Sequence, residues 1–314
     1  MNLFFTYYKK GSKKRPLCNG LDTKVKFMKI AIIGAGNVGA NAAALLIARK
    51  VAKKIALVDI AKNPTLGKAL DLNHMAALLE NDTKIKASDE YKIIKNADIC
   101  VITAGMPRKE GQSRADLLTT NASIIKHASK QIAKYAPKSV IIVVSNPLDA
   151  MTFCAHSASG FERQKVFGMA GELDSARLRF EIAQHFGLKN SECKGQIYGE
   201  HGENMSAINL GAKGQKISQN LACKLENLAK KGGARIISLL GSSAYFAPAA
   251  GIVKICEALR ARNGKVLVCS ALDESGYPCG RAVKFGKKIK ILADICELKT
   301  AKEAIKKDCD LLKI

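Results

Sequence analysis

Five side chains capable of chemistry sit in three short runs of this sequence. Arg108 and Arg114 lie six apart in the polar stretch from Thr103 to Arg114, Asp174 and Arg177 lie three apart, and His201 is bracketed by Gly199 and Gly202. An imidazole can take up or give a proton near neutrality. A guanidinium presents a fork of N–H donors that matches a carboxylate. A carboxylate next to an imidazole fixes its tautomer. Three guanidiniums, a carboxylate and an imidazole together would suit oxidation of a hydroxyl on a small di-acid. Each piece also has a plainer reading. The two arginines could be a solvated basic loop, and a carboxylate–guanidinium pair at i, i+3 shares a helix face and is usually a surface salt bridge. His201 tips the balance. The other histidines, His74, His127, His156 and His185, fall in stretches with helical patterning. His201 alone stands among glycines at a strand end, where Asp174 could orient it to accept the proton of an alcohol as hydride departs.

Such a site needs a hydride acceptor, and the first strand runs into a motif that would hold one. Lys29 to Ile33 lead to Gly34-Ala35-Gly36-Asn37-Val38-Gly39, a fingerprint for binding a dinucleotide at a helix N-terminus. Gly34 permits the tight turn, Gly36 lets the backbone approach a pyrophosphate, and Gly39 allows close helix packing. Asp59 follows 20 residues after Gly39, at the end of the next strand. There a carboxylate can accept from both ribose hydroxyls and repel a 2′-phosphate, which favours NAD over NADP. The segment carrying Arg108 and Arg114 follows the fourth strand, with Gly105 and Gly111 suited to a hinged lid. Asn146 closes the fifth strand, where it reads equally well as a helix cap or turn residue and as a hydrogen-bonding group for nicotinamide ribose or substrate.

These motifs require strands that end at one edge. The pattern from Met28 to about Ala150 supplies them by alternating short β-branched runs with longer Ala/Leu/Lys stretches. It predicts strands at 29–33, 55–59, 84–87, 98–103 and 140–145, and helices at 38–49, 66–79, 115–135 and 149–157. Beyond 150 the rhythm changes to long helices at 172–186, 221–240 and 249–262, strands at 265–271 and 281–285, and a last helix at 300–312. The fold class expected is α/β: a Rossmann doubly wound parallel sheet over 28–150, then an α+β substrate domain over 151–314. At 314 residues the chain is large enough for two lobes, and no repeat or low-complexity linker separates them.

The net charge of +24 raises a nucleic-acid reading. Only 11 of 51 cationic residues are Arg, Trp is absent and aromatics make up 5%, so base-reading and stacking groups are scarce. The charge is expected to draw in an anionic substrate instead. The ten cysteines contain no Cys-x-x-Cys pair, and several, such as Cys100, lie in apolar runs. They read as reduced, buried thiols of a cytoplasmic protein, with no metal site and no membrane span. Residues 1–27 hold six Lys, one Arg and one Asp. They read either as a disordered basic arm or as the product of a mispredicted start, with Met28 as the first residue.

In combination, the runs from Gly34 to Gly39, Ala104 to Arg114, Asn146-Pro147, Gly168 to Arg177 and Gly199-Glu200-His201-Gly202 resemble the lactate/malate dehydrogenase family over about Met28 to Leu312, closest to its lactate-dehydrogenase-like malate-type members. The resemblance implies that His201 is the proton acceptor and donor and that Asp174 orients it. It implies that Arg177 clamps the substrate's C1 carboxylate, that Arg114 polarises the reacting carbonyl, and that Asn146, in a cis bond to Pro147, donates to the substrate. Cofactor contacts are implied from Gly34, Gly36, Asn37, Val38, Gly39, Asp59, Asn121 and Asn146. Arg108 stands at the position that sorts substrates, where Gln goes with lactate and Arg with a second carboxylate. Ala244 agrees with the malate type. The segment between His201 and Gly232-Gly233 is shorter than usual for the family, and 265–298 matches the family's strand-rich ending loosely. The resemblance therefore implies an NAD-dependent oxidoreductase acting on a small 2-hydroxy dicarboxylate in the tricarboxylic acid cycle, and a homodimer or homotetramer. Other readings are a lactate or other 2-hydroxy-acid dehydrogenase, and a non-catalytic NAD-binding or basic nucleic-acid-associated protein.

Overall fold

The computed structural model describes residues 28–106, 114–292 and 299–312, except for the side chains of Arg114 and Lys299. The basic stretch 1–27 and most of the expected lid, including Arg108, lie outside the described residues.

The first half alternates strand and helix: β1 (Lys29–Ile33), α1 (Asn37–Ala48), β2 (Lys54–Val58), α2 (Lys62–Leu78), β3 (Lys84–Ser88), β4 (Ile99–Ile102), α3 (Arg114–Tyr135), β5 (Val140–Val143), α4 (Leu148–Ser159) and β6 (Val166–Gly168). The six strands pair in parallel in the order β3-β2-β1-β4-β5-β6, which is the doubly wound arrangement. Such a sheet is covered on both faces, so its central strands are nearly continuous apolar runs, while the edge strand β3 keeps Lys84 and Lys86 exposed. Ile30, Ile32, Ile55, Leu57 and Val101 face one core, shared with Leu46 and Ile47 of α1. Their neighbours Ala31, Ile33, Ala56, Val58 and Ile102 face another, shared with Leu118 and Ile125 of α3. The parallel half ends at Gly168 rather than near 150. The reason is that β6, only three residues long, gives too short an apolar run to be read in sequence.

The second half contains α5 (Gly171–Phe186), β7 (Cys193–Gly199), β8 (Met205–Ala212), α6 (Gln219–Leu240), α7 (Phe246–Ala261), β9 (Lys265–Leu272), β10 (Pro278–Phe285), β11 (Ile289–Ile291) and α8 (Lys299–Leu311). The described part of the stretch that matched the family loosely, 265–292, contains an antiparallel hairpin of β9 and β10, to which β11 is added. β6 meets β9 at Gly168 and Ser270, and β10 meets β7 at Gly280 and Gly199. One sheet thus passes from the parallel half into the antiparallel half. Two helices begin three or more residues earlier than expected, α2 at Lys62 and α7 at Phe246. Pro64 and Pro248 fall in their first turns, where no backbone N–H is needed.

Candidate active site

The carboxyl ends of β1, β4 and β5 lie side by side and carry the cofactor motif and its neighbours. Gly34 leaves β1 at φ +102, and a Cβ there would lie 2.5 Å from the nitrogen of Ala104. A Cβ on Gly39 would lie 2.0 Å from the Gly34 oxygen, so α1 can sit on the turn only with glycine there. A Cβ on Gly36, by contrast, would meet no atom within 4 Å. The turn's main chain is therefore open at Gly36, and the first turn of α1, with Asn37, Val38 and Gly39, contains no acidic residue. Open backbone at a helix N-terminus suits a pyrophosphate. Asp59 stands just past β2, half-buried. Its Oδ2 accepts the Ala35 N–H at 2.7 Å and its Oδ1 the Ala61 N–H at 3.0 Å. The Nζ of Lys68 donates to the Ala35 oxygen at 2.5 Å, and the Thr103 hydroxyl to the Gly34 oxygen at 2.7 Å. Lys68 and Thr103 were not singled out in the sequence, because nothing local to them signals a reach back to the turn.

Asn146 is exposed at the end of β5, and its bond to Pro147 is cis. Asn121 of α3 is buried, with its amide spent on backbone: Oδ1 accepts the Met106 N–H at 2.8 Å, and Nδ2 donates to the oxygens of Met106 and Asn146. In the described residues, then, Asn121 fixes the main chain of Met106 and of Asn146.

The second constellation is built on α5 and the loop after β7. Asp174, 2% exposed, lies in the first turn of α5. Its Oδ2 is 2.7 Å from Nδ1 of His201, and its Oδ1 accepts Nη1–H of Arg177 at 3.1 Å. Since the carboxylate can only accept, Nδ1 carries the proton and Nε2 is left for another partner. Gly199 turns the chain at φ +99, and a Cβ there would lie 2.5 Å from the Asn204 oxygen. This glycine lets β7 and β8 close around the His201 loop. Arg177 packs under α6: a Cβ on Gly232 would meet its Cδ at 3.3 Å and one on Gly233 its Nη2 at 3.5 Å.

Asp149 is a further carboxylate at this site. It is 5% exposed in α4, and Oδ2 accepts the backbone N–H of His201 at 2.8 Å. In sequence it reads as an ordinary acidic residue of a helix's first turn. Burial pushes its carboxyl up to about 6, against the lowering effect of its hydrogen bonds from Ser270 and His201. For His201, burial disfavours the charged ring. The Asp174 carboxylate, by charge and hydrogen bond, and then Asp149 outweigh this and the opposition of Arg177, so the pKa is raised. His201, Asp174 and Arg177 thus lie together, Arg108 lies outside the described residues, and of Arg114 the backbone alone is described, as the start of α3.

The chain matches the lactate/malate dehydrogenase NAD binding domain over residues 28–168 and the lactate/malate dehydrogenase alpha/beta C-terminal domain over 171–305. This chain belongs to the lactate/malate dehydrogenase family. Among relatives in the family, a malate dehydrogenase of Cytophaga hutchinsonii is 39% identical over 254 residues, covering 78% of this chain and 81% of that one. The crystal structure of Cryptosporidium parvum malate dehydrogenase superposes with a TM-score of 0.86 at 33% identity, over 91% of this chain and 99% of that one. A structure of Archaeoglobus fulgidus malate dehydrogenase in complex with NADH has a TM-score of 0.84 at 30% identity, over 91% and 100% of the two chains. Among the described residues no helix is long and apolar enough to cross a membrane.

Proposed function

We propose that this chain is an NAD-dependent malate dehydrogenase, interconverting (S)-malate and oxaloacetate by reversible hydride transfer. The observation that carries this reading is the Asp174 carboxylate shared between Nδ1 of His201 and the Arg177 guanidinium. It sets a proton acceptor and a carboxylate clamp side by side. NAD, when bound, supplies the acceptor for the hydride that leaves the hydroxyl-bearing carbon. Gly34, Gly36, Asn37, Val38 and Gly39 would hold its pyrophosphate, Asp59 its adenosine ribose, and Asn146 the edge nearest the nicotinamide; Asn121, expected from the resemblance to touch the cofactor, instead has its buried amide spent on the backbone of Met106 and Asn146 and serves by placing them. Nε2 of His201 takes the hydroxyl proton in the oxidising direction and returns it in reduction, while Asp174 stabilises the imidazolium. Arg177 binds the C1 carboxylate, Asn146 donates to the substrate, Arg114 polarises the carbonyl and Arg108 pairs with the second carboxylate.

The chain is further read as two lobes, an NAD-binding one from residue 28 and a catalytic one after it, in a cytoplasmic homodimer or homotetramer of the tricarboxylic acid cycle. Leu66, Leu70 and Leu78 recur at helical spacing on α2 and are exposed, as are Ile237, Leu239 and Leu240 of α6. Exposed apolar rows of this kind suit a subunit interface. The buried thiols support the reducing compartment, with Cys100 pushed up to about 12 by burial.

The test is NADH oxidation with oxaloacetate, pyruvate and 2-oxoglutarate side by side. Leaving one member of a buried charge pair unpartnered costs roughly 3 to 5 kcal/mol. Oxaloacetate is therefore expected to exceed pyruvate by about two to three and a half decades in kcat/KM, and Arg108→Gln to shift preference toward pyruvate. Equal rates on oxaloacetate and pyruvate would reject the assignment.

A further inference from the structure

Asp149 is a buried carboxylate of this site to which the mechanism above gives no task. It stands two residues past the cis proline, and both its oxygens are taken by groups from the second half of the chain. Oδ2 accepts the His201 N–H at 2.8 Å, and Oδ1 accepts the Ser270 hydroxyl of β9 at 2.5 Å. The carboxylate therefore ties α4, at the cofactor edge of the sheet, to β9 and to the His201 loop. An acidic side chain in a helix's first turn gains its dipole benefit at the exposed surface without any need for burial. Burying one is unfavourable unless its oxygens are hydrogen-bonded, and here the bonds that satisfy it reach 52 and 121 residues along the chain.

We infer that Asp149 is a positioning residue for the reaction, clamping the main chain of His201 against β9 and setting a second negative charge beside the imidazole that Asp174 already holds. This rests on the reading of His201 as acid and base. The two carboxylates divide the work, Asp174 fixing the ring and Asp149 the backbone from which the ring is aimed. Arg177 and Asp174 face the imidazole from α5, Asp149 faces it from α4, and Glu200 is its neighbour on the loop. Asp149 itself is faced by His201 and Glu200, by Ser270 of β9 and by Cys309 of α8.

The sign of the consequence is fixed. Oxaloacetate reduction uses protonated His201, so its rate declines as pH rises through the His201 pKa. Negative charge at Asp149 favours the imidazolium, and removing it lowers that pKa and moves the decline to lower pH. In malate oxidation the acid limb moves the same way.

Asp149→Asn keeps an acceptor for the His201 N–H and a donor for the Ser270 oxygen but carries no charge. The alkaline limb of kcat/KM for oxaloacetate reduction is expected to fall by about half to one pH unit, with the KM for NADH essentially unchanged. Asp149→Ala also removes both hydrogen bonds, and kcat is expected to fall by about a hundredfold as the imidazole loses its aim. An unmoved limb in a folded Asp149→Asn variant overturns the inference. Should neither variant fold, Ser270→Ala keeps the carboxylate and its bond to His201 and cuts the tie to β9. Its kcat is expected to drop about tenfold at unchanged KM for NADH, and a full kcat overturns the inference. His201→Asn, assayed alongside, separates the two claims. Turnover surviving in that variant defeats the reading of the site itself, whereas lost turnover with an unmoved Asp149→Asn limb defeats only the role of Asp149.

Discussion

The turn after β1 and the loop after β7 both leave their strands through a glycine at φ near +100°, Gly34 at +102 and Gly199 at +99, yet they are organised in opposite ways. In the turn the working groups are main-chain, and side chains brace them: Asp59 holds the Ala35 N–H, Lys68 the Ala35 oxygen and Thr103 the Gly34 oxygen. In the loop the working group is one imidazole, held by carboxylates drawn from 27 and 52 residues upstream. Backbone sites should tolerate polar exchanges and fail on added carbon. Side-chain sites should fail on the loss of a single polar atom.

The largest effect that contrast forecasts is at His201. His201→Asn keeps size and polarity but cannot serve as the base, and kcat is expected to fall by about 10² to 10⁴. NADH affinity, followed by fluorescence titration, is expected to stay near wild type because the cofactor motif lies on the other constellation. Turnover close to wild type would break the comparison. A smaller loss is expected at Gly34, where a side chain meets both a strained φ and the Ala104 backbone. Strain of about 1 to 3 kcal/mol at such a position corresponds to roughly five- to 150-fold weaker NADH binding in Gly34→Ala. The rate at saturating cofactor should be largely retained, and normal NADH affinity would mean that the turn does not depend on its backbone shape. The smallest change is Asp59→Ser. Loss of the carboxylate should narrow the preference for NADH over NADPH, by about tenfold if one charge-assisted hydrogen bond is at stake. A native protein that already uses both cofactors equally would remove Asp59 from the ribose.

The same contrast explains what could be read without coordinates. The central parallel strands were visible because burial on both faces makes them nearly unbroken apolar runs, and the cofactor turn because its three glycines recur within one hexapeptide. Of β7 only the end beside His201 was read, and β8 was not, since Cys193-Lys194-Gly195-Gln196 and Ser206-Ala207-Ile208-Asn209 mix polar and small residues without a regular alternation. Asp174 and Arg177 were legible as a pair because helical spacing alone puts them on one face. Their link to His201 needed an argument by elimination among five histidines. Asp149 escaped because its partners, His201 and Ser270, are adjacent only in the folded chain, and its local setting already had a sufficient explanation as a helix's first turn.

Gly232 and Gly233 in the middle of α6 look like weak points that an engineer seeking thermal resistance would fill first, since each is worth about 1 kcal/mol of helix stability relative to Ala. The two are not equivalent. A methyl group on Gly233 would sit at ordinary contact distance from the Arg177 guanidinium, 3.5 Å at the nearest, whereas one on Gly232 would press on the Arg177 Cδ at 3.3 Å. Hardening the helix at Gly233 is thus compatible with the clamp beneath it. At Gly232 the Arg177 side chain must give by a few tenths of an ångström to admit a methyl group, so robustness there is gained only as far as the arginine can shift.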